Sequence, residues 1–149
     1  MAKKKKDKIP HIGVGVPKPE KKARVAESAL PDGSRLTSWS FANIDTGGGW
    51  PWANFEGQEK DFEAALHRFR DVEGMTWAEL GGSGSHDVDL DKLIPEARAR
   101  LKELKQEDVD SLYSLRVMGA VRVWGIRDRH VLRVLWWDPY HLVCPSLPR

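Results

Sequence analysis

The strongest alternation of apolar and polar positions lies in the last third of the chain. LYSLRV, AVRVWGI and HVLRVLWWD are β-branched and aromatic runs separated by Met118-Gly119 and Arg127-Asp128-Arg129, both breaks compatible with hairpins. They predict a three-stranded antiparallel meander. In the last run, Leu132, Val134 and Trp136 fall on one face and Val131, Arg133, Leu135 and Trp137 on the other. Both faces are largely apolar, so this strand is expected to be central and covered on both sides. Near the start, RLTSWSFANI alternates Leu36, Ser38, Ser40 and Ala42 with Thr37, Trp39, Phe41 and Asn43, which predicts a first strand.

Between these runs the period changes to that of a helix. Over 58–72, Phe62, Ala65, Leu66 and Phe69 recur at offsets of three and four and define a buried stripe that Gly74 ends. MTWAEL predicts a second short helical turn, with Thr76 as N-cap and Glu79 three residues later. A third helix is expected over 94–105, with Pro95 at its first position and Ile94, Ala97, Leu101 and Leu104 on one face. GGSGSHDVDLD between the last two is expected to be a flexible connection. It lacks the Lys-Ser/Thr ending of a phosphate-binding loop. The expected fold is α+β: an N-terminal strand, two to three helices, and the C-terminal meander.

Composition changes this picture at one end. Residues 1–25 carry nine Lys/Arg against two acids, a net of +7, while the rest holds 15 basic and 20 acidic residues, a net of −5. With Pro10, Pro17 and Pro19 in the same stretch, residues 1–30 are expected to be a disordered basic tail, and 31–149 one domain. Such a tail is either a solvated arm or a non-specific contact for phosphate backbones through Lys3, Lys4, Lys5 and Lys6. Binding of the second kind weakens steeply with salt. No apolar run reaches membrane-spanning length, and the basic start has no apolar segment behind it, so a cytoplasmic protein with no membrane partner is expected. The single cysteine, Cys144, excludes an internal disulfide and any multi-cysteine zinc site.

Candidate chemistry concentrates in the meander. Arg116, Arg122 and Arg133 each interrupt an apolar strand, where a guanidinium must either pair or reach solvent. If they share a face they present forks matched to phosphate oxygens. If not, acids such as Asp108, Asp110, Asp128 and Asp138 are their expected partners; the register decides. His141 follows Asp138 by three residues in DPYH, just past the last strand, where an imidazole can act as acid or base. His86, Asp87, Asp89 and Asp91 with Asp138 and His141 are hard-metal donors, but their spacing matches no ligand signature, and no metal or other cofactor is expected. Trp50 and Trp52 in DTGGGWPWANF are read first as packing residues and second as a partner-binding pair.

SFANID with RVWGIRDRHVLRVLWWDPYH resembles small bacterial proteins sharing such strand motifs. The order strand, helical pair, meander with an arginine-bearing penultimate strand and a terminal histidine is similar to the RelE/ParE-type toxins of toxin–antitoxin pairs, over residues 111–143. That resemblance implies a cytoplasmic endoribonuclease that cuts mRNA by attack of the 2′-hydroxyl on the adjacent phosphate, with an antitoxin protein as partner and RNA or the ribosome as target. It implies Arg116 and Arg122 as phosphate stabilisers and His141 as acid or base. Asp138 joins this catalytic set, and Arg133 joins the nucleic-acid contacts. The acidic body, the tail and the long 75–110 region depart from that pattern. A non-enzymatic toxin or interaction module, and an accessory protein that binds nucleic acid through the lysine tail, are the other two readings.

Overall fold

The computed structural model describes residues 34–145. The basic tail, with Lys3 to Lys6, lies outside the described residues. Five strands form one mixed sheet in the order β1-β5-β4-β3-β2: β1 (Ser38–Ser40), β2 (His86–Asp89), β3 (Ser111–Met118), β4 (Val121–Asp128) and β5 (Val131–Asp138). The helices are α1 (Glu59–Val72), α2 (Trp77–Leu80) and α3 (Pro95–Glu103). The α+β class and the antiparallel meander β3-β4-β5 agree with the sequence pattern. β1 joins the sheet parallel to β5. No helix of the described residues is long and apolar enough to cross a membrane.

Each face of the sheet has its own core. On one side α1 and α2 pack Ala65, Phe69, Val72, Trp77 and Leu80 against Tyr113, Leu115, Val123, Leu132 and Val134. On the other, Ala97 and Leu101 of α3 meet Leu112, Trp124, Ile126, Leu135 and Trp136, with Trp50 and Val143 closing the edges. α1 buries a narrower stripe than the sequence suggests: Leu66 is 51% exposed, while Val72, one turn beyond Phe69, is fully buried. Steps of three and four from Phe62 run through Ala65, Phe69 and Val72, and Leu66 falls a residue off that line. α2 carries the expected reciprocal cap, the Glu79 N–H donating to Thr76 Oγ1 and the Thr76 N–H to Glu79 Oε2. α3 has Pro95 in its first turn and ends with Lys105 at φ +56. The Gln106 N–H then donates to the Leu101 carbonyl and the Lys105 N–H to that of Lys102, satisfying two of the last carbonyls.

Two strand expectations are corrected. HDVD, read as part of a flexible connection, is β2, an antiparallel edge strand on β3. Only Val88 of it is buried, so its hydrophobic signal is a single residue, and pairing to β3 supplies the order. In β5 the strict alternation breaks. Trp124 pairs with Trp136 but Gly125 with Val134, leaving Leu135 as the extra residue of a bulge. Leu135 and Trp136 therefore both face α3, whereas Leu132, Val134 and Trp137 face α1. A Cβ on Gly125 would sit 2.6 Å from the Arg133 carbonyl, so this position admits only glycine.

The short β1 leaves the outer edge of β5 beyond Arg133 without a strand neighbour. The 41–58 loop covers it. The Asp45 N–H donates to the Leu135 carbonyl at 2.9 Å, and the Trp137 N–H to that of Trp50 at 3.1 Å. Asp45 anchors the loop. It is 4% exposed, accepts Arg100 Nε and Nη2 at 2.8 and 2.7 Å, and also accepts Trp136 Nε1 and the Gly47 N–H. Burial pushes the Asp45 carboxyl up, but the Arg100 fork with the Gly47 and Trp136 donors outweighs this and holds it below its ordinary value.

Candidate functional site

Strand register places the meander arginines. Arg116 of β3 lies opposite Arg122 of β4, and Arg122 opposite Asp138 of β5. The adjoining row of the same face runs His86, Ser114, Trp124, Trp136. Both rows point to the α3 side, because Val121, Val123 and Leu115, the alternate positions, pack under α1. Arg133 is cross-strand from Ile126, four residues along β4 from Arg122 and about 13 Å away at strand rise. It does not join the other two.

The DPYH segment closes this end of the sheet. Asp138 is wholly buried, and its carboxylate organises the turn: Oδ1 accepts the Leu142 N–H at 2.8 Å, and Oδ2 accepts the Val143 N–H at 3.1 Å and Trp124 Nε1 at 3.0 Å. With both oxygens engaged and no exposure, Asp138 holds the turn. The turn it holds puts His141 in the left-handed region at φ +57, uncommon for a residue with a side chain. His141 then lines a cavity of about 240 Å³ together with His86, Ser114, Arg122, Trp124 and Cys144. His141 and Arg122 thus meet in one concavity.

Positive charge dominates the electrostatics of this cavity. Arg122 uses Nη1 on the turn carbonyls of Gly119 and Val121, at 2.6 and 3.2 Å. That leaves Nε and Nη2, the edge that grips a carboxylate or phosphate with two parallel bonds, unpaired among the described residues. No ion pair within them involves Arg116, Arg122 or Arg133. Burial and the neighbouring Arg116 charge hold Arg122 below its ordinary value, with Asp138 opposing. Burial likewise depresses His141, and Arg122 and His86 depress it further against the pull of Asp138. His141 is consequently a neutral imidazole at neutral pH, a proton acceptor in the same cavity as the Nε–Nη2 edge of Arg122.

Arg116 stands at the rim. Its backbone is pinned by a bond from its N–H to Ser85 Oγ and one from Arg68 Nε to its carbonyl. Its side chain crosses Gly84, where φ is +81 and a Cβ would lie 3.1 Å from Arg116 Cδ. The glycine-rich stretch before β2 thus makes room for Arg116. Cys144 is a protonated thiol: burial raises its pKa, only partly offset by Lys92.

Other candidates fall elsewhere. Trp50 is 8% exposed and tilts against Trp136 with ring centres 5.1 Å apart. Trp52 is half-buried against Trp137, Phe41, Phe55 and Phe62. Packing engages both rings. The hard-metal donors are not gathered: among the described residues no group of three or more His, Cys, Asp or Glu is placed to hold an ion. Sequence reasoning missed Ser114 and took His86 only as a metal candidate. The available signal was the HDVD alternation, which puts His86 on the face of Val88. Comparison of the chain with protein-family models, with curated proteins and with solved structures gave no match.

Proposed function

We propose that the cavity binds a phosphodiester of RNA and that the protein is an endoribonuclease toxin of the RelE-like kind, held in check by an antitoxin partner. The observation that carries this reading is the unpaired Nε–Nη2 edge of Arg122 beside the neutral, turn-held imidazole of His141. Arg122 grips the non-bridging oxygens of the scissile phosphate, and Arg116 adds charge from the rim. His141 takes the proton of the 2′-hydroxyl as its oxygen attacks phosphorus. Arg122→Ala is expected to lower kcat/KM for RNA cleavage by about 10²–10³-fold. Expression of the intact chain in a bacterium arrests growth on this reading, and the Arg122→Ala, His141→Ala double variant relieves the arrest. Undiminished toxicity of that variant would sink the assignment.

A second reading draws on a different surface. Tyr140 and Leu142 are 66% and 51% exposed on either side of His141 and border a groove of about 210 Å³ beside Trp50 and Pro51. An exposed aromatic–aliphatic pair at a groove suits a protein partner. On that reading Tyr140→Ala with Leu142→Ala abolishes toxicity, and the purified protein cleaves no RNA.

A further inference from the structure

His86 and Ser114 are cross-strand partners on β2 and β3, and both line the cavity that holds Arg122 and His141. The proposed roles so far use neither. Ser114 as a residue is 3% exposed, and its hydroxyl makes no hydrogen bond to the described residues, so it is available to a group in the cavity. The hydroxyl opens on the cavity, a space that takes a small oxyanion group. His86 is exposed at the cavity mouth, and its Nδ1 lies 3.1 Å from the Asp87 carbonyl. A carbonyl can only accept, so Nδ1 carries hydrogen and Nε2 is the atom left to exchange protons. The same bond persists when the ring is protonated, so the imidazole keeps its orientation in both forms.

We propose that His86 is the general acid of the site and that Ser114 donates to a non-bridging oxygen of the scissile phosphate, holding it between His86 and His141. This rests on the reading of the cavity as a site of RNA cleavage and deepens it. The O2′–P bond forms while the 2′-hydroxyl proton passes to His141. The P–O5′ bond breaks while the Nε2 proton of His86 passes to O5′. The products are a 2′,3′-cyclic phosphate and a free 5′-hydroxyl, and proton exchange with water returns both imidazoles to their starting forms. Two imidazoles are thereby used in opposite protonation states across one phosphate, with Arg122 and Ser114 on its oxygens.

The test compares two oligonucleotides that carry a single ribonucleotide, one with the ordinary O5′ and one with sulfur in its place. A thiolate departs without a proton, so loss of the acid is invisible with the sulfur substrate. His86→Ala is expected to slow the oxygen substrate by about 10²–10⁴-fold and leave the sulfur substrate within about threefold of the intact protein, whereas His141→Ala slows both. Equal slowing of both substrates by His86→Ala, or slowing of neither, overturns the assignment of His86. For Ser114→Ala, the readout is inorganic phosphate binding followed at the His141 ring protons, with about a tenfold loss of affinity expected. Unchanged affinity removes Ser114 from the site. His86 is on an exposed edge strand, and an unfolding midpoint unchanged in His86→Ala separates lost chemistry from lost fold. If the intact protein cleaves neither substrate, the cleavage reading itself fails, and the acid role with it.

Discussion

Arg122 and Asp138 face each other across β4 and β5 but form no ion pair. The carboxylate is consumed by the Leu142 and Val143 N–H groups and the Trp124 indole, and the guanidinium turns one nitrogen to the Gly119 carbonyl. A residue pair that would ordinarily neutralise itself thus leaves a directed cation beside His141, and the turn is built from the acid that would have quenched it.

Asp138→Ala is expected to destabilise the fold by about 3 kcal/mol, because it strips the acceptor from three donors, two of them buried. Asp138→Asn keeps one acceptor oxygen and is expected to cost less. Urea unfolding measures both. If Asp138 only sets the turn, Asp138→Asn retains the affinity of His141 and Arg122 for inorganic phosphate in proportion to its folded fraction.

The His141 titration follows from its surroundings. Its folded-state value lies below 6.5, the ordinary one, so the unfolded chain binds this proton first as pH falls. The neutral form's contribution to stability is fully present above about pH 6.5 and is lost as pH falls from there through the folded-state value. NMR of the ring C–H protons is expected to show a midpoint below that of a free histidine. Arg122→Ala raises it by removing a neighbouring positive charge, and inorganic phosphate raises it by adding a negative one. A midpoint unmoved by either change contradicts the geometry of the cavity.

Asp45→Asn is expected to cost about 3 kcal/mol, since it leaves Arg100 facing a neutral amide where a two-bond carboxylate had been. The Asp45 carboxyl is held below its ordinary value of 3.8, so its contribution is present above that pH and lost as pH falls through the folded-state value. Acid unfolding of Asp45→Asn, followed by tryptophan fluorescence, is expected to have a shallower pH dependence below about pH 4 than that of the intact protein.

Gly48→Ala tests the same anchor from the backbone. Gly48 has φ +71, and a Cβ there would lie 2.6 Å from Arg100 Nε. Strain and displacement of the guanidinium together are expected to cost more than about 1 kcal/mol. Gly49→Ala, with open space around its Cβ, is the matched control, expected within about 0.5 kcal/mol of the intact protein in the same urea titration.

Local pattern carried the elements whose signal spans several residues. The meander, the capped α2 turn and α3 with its leading proline are all readable because alternation, a capping box and a helical stripe are properties of neighbouring residues. Arg116, Arg122 and His141 could be singled out in the same way, as polar residues in places where an apolar one was due. Tertiary structure decided which of them meet. Whether Arg116 and Arg122 share a row with Asp138 is a matter of hairpin register, and the bulge at Leu135 moves Trp136 to the opposite face from Val134, a shift that no period of two contains. β2 was invisible because a single buried valine is too little signal, and its order comes from β3 rather than from itself. DPYH by itself determined a turn after the last strand. Long-range contact decided that its aspartate would be spent on the turn and on Trp124, leaving its histidine in one cavity with an arginine that forms no ion pair among the described residues, because a buried carboxylate is claimed by whichever donors the fold delivers to it.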